Sequence, residues 1–466
     1  MNKTIFISVS TPILIRNFLL IPNGLLDILK KQKDTRIVLL VVDSAAEVVK
    51  KDFGDTNVII EPVKVKWKRN LLQKLGIFFN TYLNLTPLAW LEATMGVRID
   101  EKALRKKKKY PLFLKKFIAN TFGKSKWVRK KLASKIDNFI FSERPYKDLF
   151  DKYKPLVIFV PDIFGPQGLN ILREAKRQGV KSLGMTASWD HFPKRFEARK
   201  PDTLLVWNEI LKKEAIELQD YEEKNIFVSG VPQYDLFAQK EHLLSREEFF
   251  KNINLDSGKK LISFFSSSKR APDDGDIVDM ILKWIKEKKF SYNAHMYIRP
   301  YPGVVSDHEK FDKFEGNKLV YIDWIEKKRL FGDGAHAWYP SLEGMIFFMN
   351  VLYHSDVIIS TYSSVSVEAS VFLKPAININ FDGYKQRPFE QSIKRSKYKS
   401  HFMHVFETKG VWQVENQQEL FDSIEKFLKN PDTNKENLIK LRDKMCWKID
   451  GKASERIANK ILEYIK

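Results

Sequence analysis

The chain has 466 residues, is 44% hydrophobic and 13% aromatic, and carries a formal net charge of +22, from 80 Lys and Arg against 58 Asp and Glu. This length and apolar content exclude a disordered chain and exceed what one ordinary domain buries, so two domains with additions are expected. A single cysteine, Cys446, excludes an internal disulfide framework and a cysteine-based zinc site, and makes the cytoplasm the default compartment.

The first residues, MNKTIFISVSTPILIRNFLL, have the apolar run of a secretory signal. Pro12, Arg16 and Asn17 interrupt it, no small-residue cleavage site follows, and alternation across residues 5–9 predicts a core strand instead. No apolar segment reaches the roughly 18–20 residues that a membrane-spanning helix needs. Further strands are expected at 36–42, 58–61, 157–160, 182–185, 203–206 and 226–229. Helix-period segments such as 168–178 and 209–219 lie between them, the pattern of a parallel sheet with crossover helices.

After the third strand comes an insertion at about residues 64–150. Residues 102–135 contain no acidic residue and interleave bulky apolar side chains among the bases. That composition on short helices suits a segment lying on an anionic membrane surface, where each lysine is worth about 1 kcal/mol at best. Lys106, Lys107, Lys108, Lys109, Phe113, Phe117 and Trp127 are the candidate membrane-surface residues. A solvated helical face and a nucleic-acid surface are the alternatives, the latter disfavoured because no recognised nucleic-acid module surrounds the segment.

A polar helical bridge at 239–252 and the turn Asp256-Ser257-Gly258 mark a boundary. The expected organisation is an N-terminal Rossmann-like acceptor domain at 1–238, a linker at 239–258, a nucleotide-binding domain at 259–434, and closing helices within 435–466 that have room to cross back to the first domain. Strands of the second half are expected at 261–265, 295–299, 319–322, 357–360, 376–380, 402–406 and 411–414.

Doubly wound domains bind ligands at the carboxyl ends of their strands. Neither GxGxxG nor GxxxxGK[ST] is present, which removes support for a dinucleotide site of that type or a P-loop ATPase. Residues 356–380, DVIISTYSSVSVEASVFLKPAININ, read as strand, serine turn, helix and strand. Ser363 and Ser364 would then stand at a helix N-terminus, where backbone N–H groups and the helix dipole suit a phosphate. Glu368, four residues after Ser364, shares its face and reaches toward a ribose hydroxyl. The plainer reading makes these an N-cap, a first-turn residue and a solvated acid.

Other strand ends add candidates for a donor diphosphate. Arg299 opens RPYP, and its five-donor fork suits a diphosphate, with a carboxylate partner as the alternative. Tyr301 follows it. Gly230, in SGVPQYD, allows a close backbone approach, and Ser267 and Ser268 form a hydroxyl-rich turn. In the first half Asp190 and His191 follow the strand ending at Met185, and Asp162 follows the one ending at Val160. Any of them could serve as the general base, and Asp190 is preferred because Trp189 offers a stacking surface for a sugar ring. Asp273, Asp274 and Asp276 fall in a loop-like run and are discounted as metal ligands. No metal and no cofactor are expected.

SGVPQYD, RPYP and HSDVIISTYSSVSVEASVFLKPAINI resemble, in that order, the nucleotide-binding half of GT-B glycosyltransferases. The likeness is greatest to bacterial surface and capsular polysaccharide transferases and to the CDP-glycerol glycerophosphotransferases. Those families carry a Ser-Ser motif before an acidic helix residue, matched by Ser363, Ser364 and Glu368. They also carry a His-Pro motif, altered here to Tyr301-Pro302; in the glycerophosphotransferases that histidine serves the phosphoryl chemistry. The resemblance covers roughly residues 155–385.

It implies an α/β protein of the GT-B type, with two Rossmann-like domains facing a central cleft and a basic helical insertion in the first. It implies metal-independent transfer of a sugar from a nucleotide-sugar donor to a lipid-linked surface glycan. The enzyme would then work in the cytoplasm, held peripherally at the inner face of the cell membrane. The alternatives are a CDP-glycerol-type glycerophosphotransferase, a UDP-N-acetylglucosamine 2-epimerase-like enzyme, and a non-catalytic basic scaffold or nucleic-acid-binding protein. The epimerases have a glycine-threonine-arginine-proline turn after the first strand, where this chain has Ser8-Val9-Ser10-Thr11-Pro12.

Overall fold

The computed structural model describes residues 3–64, 69–94, 112–267, 270–302, 305–324 and 339–465. Seven strands form one sheet: β1 (Lys3–Val9), β2 (Thr35–Val42), β3 (Val58–Val63), β4 (Val157–Val160), β5 (Lys181–Met185), β6 (Thr203–Val206) and β7 (Ile226–Val228). Their order is β3-β2-β1-β4-β5-β6-β7, with every pairing parallel. Six more form a second sheet: β8 (Lys260–Phe265), β9 (Ala294–Arg299), β10 (Val320–Ile322), β11 (Val357–Ser360), β12 (Ala376–Ile379) and β13 (Val411–Val414). That order is β10-β9-β8-β11-β12-β13, again all parallel.

The central strands are continuous apolar runs because helices cover both faces of such sheets. Ile5, Phe6 and Ile7 of β1, all five residues Ile37 to Val41 of β2, and every residue of β4 have no exposed surface. Ile5 of β1 lies between Ile37 and Val157, at the middle of its sheet. The second sheet is packed by Ile277, Val278, Ile281 and Trp284 of the helix Asp274–Lys286 and by Leu420, Ile424 and Phe427 of the helix Gln417–Lys429.

The described residues divide into two compact units. One comprises residues 3–90, 112–238 and 447–465 and holds the seven-stranded sheet; the other holds the six-stranded sheet within 239–446, together with residues 91–94. The chain therefore leaves the first unit after Ala238 and re-enters it at Trp447. There Asp235 accepts hydrogen bonds from the backbone N–H groups of Ala453 (2.9 Å) and Ser454 (2.7 Å). These are orphan donors at the start of the helix Ala453–Leu462, which packs on the helix Leu25–Lys30.

Between β3 and β4 lie the helices Leu71–Tyr82, Leu112–Thr121 and Ala133–Ile140. The first opens with a reciprocal cap, Asn70 Oδ1 accepting from Gln73 N at 2.8 Å and Gln73 Oε1 from Asn70 N at 3.2 Å. Leu83, Ile118, Val128 and Ala133 pack this insertion on Phe196 and Ala198. A buried ion triad pins it further: Asp137 accepts from Arg173 at 2.6 and 3.0 Å and from Arg199 at 3.0 Å.

Two expectations are corrected. Residues 402–406 are not a strand but part of the helix Ser400–Phe406. The alternation of Phe402, His404 and Phe406 imitates a strand, yet the buried residues are His401, Phe402 and Val405, a helical spacing. Phe402 and Phe406, one turn apart, both meet the Tyr362 ring edge-on. The acids at 273–276 are not in a loop but open the helix Asp274–Lys286, where carboxylates oppose the positive end of the dipole.

Candidate functional site

In both sheets the strand order reverses beside the first strand, between β1 and β4 and between β8 and β11. Ligands of open parallel sheets bind outside the carboxyl ends at such a reversal. In the second unit the turns that leave β8 and β11 meet there. Ser267 Oγ donates to the Thr361 carbonyl, so the serine turn after β8 is joined to the turn carrying Ser363 and Ser364.

Asp274 holds both turns. Buried to 2% exposure, it accepts from Ser266 Oγ (2.8 Å), Ser267 N (2.9 Å) and Thr361 Oγ1 (3.2 Å). Burial pushes its carboxyl up to about 7, with Lys310 opposing and Asp307 adding to the rise. Tyr362 adopts a left-handed backbone conformation, φ 47°, uncommon for a bulky residue. Its N–H donates to Asn378 Oδ1 at 2.6 Å and its hydroxyl to Asn380 Oδ1 at 2.8 Å, so side chains from the end of β12 fix the bend.

Beyond that bend Ser363 is half-buried and Ser364 exposed. Ser364 is the residue that caps the helix Val365–Val371, and its side chain makes no capping bond, while Ser363 Oγ accepts from Val365 N at 3.4 Å. Glu368 is buried, 5% exposed, and so is not the solvated acid of the plainer reading.

Arg299 ends β9 buried, its Nη1 3.3 Å from Asp323 Oδ2 and its guanidinium 4.8 Å above the Phe348 ring. A diphosphate at this position would share the arginine with Asp323. Tyr301 donates its backbone N–H to Asp307 Oδ2 at 2.7 Å, and Asp307 in turn accepts from Lys310 Nζ at 2.6 Å. The neighbouring acids are structurally engaged. Asp273 forms a two-bond pair with Arg387, 2.7 Å each, and Asp276 accepts from Tyr384 N at 3.1 Å.

At the reversal in the first unit, Asp162 follows β4 and accepts from Ser10 Oγ (3.4 Å) after β1 and from the N–H groups of Phe164 (3.2 Å) and Gly165 (3.0 Å). It thus fixes the turn that leads into the helix Pro166–Gln178. Asp190 is ion-paired with Lys194, and His191 Nε2 lies 4.0 Å from Asp190 Oδ1. His191 packs edge-on to Phe164, and its Nδ1 has no hydrogen-bond partner among the described residues. Burial, then Lys194, hold its imidazole below the ordinary value, with Asp190 and Asp162 opposing. The shift favours the neutral ring.

Gly230 has φ 86°, as its turn requires, and the nearest atoms to a side chain there would be Arg456 Nη2 (3.1 Å), Ala453 Cβ (3.3 Å) and Trp447 Cε3 (3.4 Å) of the returning segment. Phe113, Phe117 and Trp127 are 73%, 53% and 63% exposed. Ser268 and Lys106, Lys107, Lys108 and Lys109 lie outside the described residues. The sequence reading missed Asp274, Asn378 and Asp323. An acid run at a helix start after a strand end was the available signal for the first, and the other two carried none.

With the geometry described, comparison with known proteins defines the class first. The fold is GT-B-like, two parallel α/β sheets shared with a UDP-GlcNAc 2-epimerase and with TagF. The UDP-GlcNAc 2-epimerase of Methanocaldococcus jannaschii superposes with a TM-score of 0.53 at 15% identity, covering 99% of each chain. A variant of the wall teichoic acid polymerase TagF superposes with a TM-score of 0.51 at 12% identity, covering 100% of this chain and 89% of that one. More particularly, residues 347–463 match the family model for CDP-Glycerol:Poly(glycerophosphate) glycerophosphotransferase. The chain is also 24% identical, over 245 residues, to the teichoic acid ribitol-phosphate polymerase TarL of Staphylococcus aureus. That match covers 51% of this chain and spans 37% of the relative's length.

Proposed function

We propose that this chain is a transferase that moves a polyol phosphate from a CDP-polyol to a lipid-linked, teichoic-acid-like acceptor. This is the glycerophosphotransferase alternative rather than sugar transfer. The observation that carries it is the family match over residues 347–463, which includes Ser363, Ser364 and Glu368 at the strand-order reversal of the second sheet. In this reaction an acceptor hydroxyl oxygen attacks the polyol-side phosphorus. The bond from that phosphorus to the bridging oxygen breaks, and CMP leaves with the electron pair.

The chain's own groups have two tasks. Ser363, Ser364 and the N–H groups of the turn bind the donor phosphates, with Arg299, Ser267 and Tyr301 beside them and Glu368 toward the ribose. A base takes the acceptor proton. Tyr301 stands where the related enzymes carry a histidine, so that base comes from elsewhere. His191, with its neutral form favoured and Nδ1 unpartnered, suits the task better than Asp190, which Lys194 pairs, or Asp162, which holds the turn before a helix.

Two measurements test the reading. Calorimetric titration with CMP, CDP, UDP and GDP, each with and without chelator, should give micromolar binding of the cytidine nucleotides alone, unaffected by chelation. Incubation with CDP-glycerol or CDP-ribitol and a polyol-phosphate lipid should release CMP. Release of UDP from a UDP-sugar, with no CMP release, would overturn it. His191→Gln should lower kcat at least 100-fold with little change in donor affinity, and an unchanged kcat would move the base to Asp190 or Asp162.

We further propose that the insertion holds the protein on an anionic membrane. Exposed Leu71, Leu75, Phe113, Phe117, Trp127 and Phe139 lie among its bases, and among the described residues no helix is long and apolar enough to cross a bilayer.

A further inference from the structure

The first unit contains a polar cavity of about 70 Å³ beneath the insertion, between the helices Leu71–Tyr82 and Pro166–Gln178 and the segment around Phe196. On the same measure one water needs about 10–15 Å³, so the space admits a group of several heavy atoms. Arg69, Arg173 and Arg195 all line it, with exposed Lys64. Their charge is not matched by the acids present. Asp137 is consumed by Arg173 and Arg199, Glu143 is exposed, and burial pushes the Glu197 carboxyl up toward its neutral form.

Two of these arginines have donors to spare. Arg69 has no hydrogen bond or ion pair among the described residues, and burial, then Arg195 and Arg173, disfavour its charge with only Glu197 helping. Arg195 spends one N–H on the Phe164 carbonyl and rests against that ring. Half-buried guanidinium groups held together beside a carboxyl that burial pushes toward its neutral form are costly unless an anion completes them. A phosphate matches their forks. The same cavity presents an unused acceptor: Asn80, 8% exposed, has its Oδ1 without a partner.

We propose that this cavity binds a phosphate ester carrying a nearby hydroxyl, with Arg69 and Arg195 gripping the phosphate and Asn80 receiving the hydroxyl. The site stands apart from the serine turn of the second unit and does not depend on the transferase reading. A free phosphate ion and a phosphorylated polyol share this chemistry, and the experiment separates them.

The full chain is titrated calorimetrically with inorganic phosphate, glycerol 3-phosphate and glycerol. Saturable binding of glycerol 3-phosphate, several-fold tighter than phosphate and with no binding of glycerol, is expected. Arg69→Gln and Arg195→Gln should each weaken it at least 10-fold, Ser364→Ala should leave it unchanged, and Asn80→Ala should erase the advantage of the ester over phosphate. Arg69 makes no hydrogen bond or ion pair with another described residue, so Arg69→Gln should keep the anion-free melting temperature and lose the rise that glycerol 3-phosphate produces. The proposal is overturned by absence of saturable anion binding, by affinities within two-fold of the parent in both arginine variants, or by an equal loss in Ser364→Ala. Equal affinity for ester and phosphate would overturn the role given to Asn80.

Discussion

Asp274 joins two turns that sequence distance keeps apart, and it does so as a carboxyl whose burial holds it at about 7 against an ordinary 3.8. A pKa raised by folding means that the native state binds the proton more tightly, so the contribution to stability is full below about pH 4 and is lost as pH rises through about 7. Asp307 and Lys310 face the same group, one adding to the rise and one opposing it. The urea midpoint should therefore fall between pH 5 and pH 8, and Asp274→Asn, which keeps the acceptor oxygen, should flatten that fall. Identical pH profiles for the two proteins would refute the assignment. The strand end and helix turn that carry Ser363, Ser364 and Glu368 were legible because that arrangement is local. Asp274 was not, because Thr361, one of its partners, is 87 positions away and is delivered by the pairing of β8 with β11.

Strands buried on both faces declare themselves as short apolar runs, and β4, β6 and β11 have the bounds read from the sequence. Residues 402–406 mislead because a five-residue window with aromatics at alternate positions satisfies both periods until a partner is known. The insertion helices present a different case. Lys115 is buried over the Tyr82 ring and Lys116 lies over Trp90, so part of the basic run is packed on aromatics rather than solvated. What remains outward mixes lysines such as Lys124, Lys126, Lys130 and Lys131 with the exposed Phe113, Phe117 and Trp127. Replacing Phe113, Phe117 and Trp127 with serine should reduce sedimentation with anionic liposomes several-fold while leaving the melting temperature within about 2 °C, because these side chains are exposed. Sedimentation equal to the parent would return the segment to a solvated face.

At the scale of the whole molecule, the first unit is closed by a segment distant in sequence. Asp235→Ala would leave the Ala453 and Ser454 N–H groups without their acceptor, at a cost of about 1–2 kcal/mol. Hydrogen exchange across the helix Ala453–Leu462 should quicken, and exchange at β8 and β11 should not. Unchanged protection of that helix would show that its packing on the helix Leu25–Lys30 suffices alone. The order of synthesis follows from the same path. A growing chain makes all seven strands of its first sheet before it begins the second sheet, yet the helix that closes the first unit is made only after the second unit is complete. At about 5–20 residues per second, the intervening stretch from Gln239 to Cys446 takes roughly 10–40 s. Through that interval the surface of the helix Leu25–Lys30 that receives the closing helix is bare on the ribosome, and the unit started first is the one finished last.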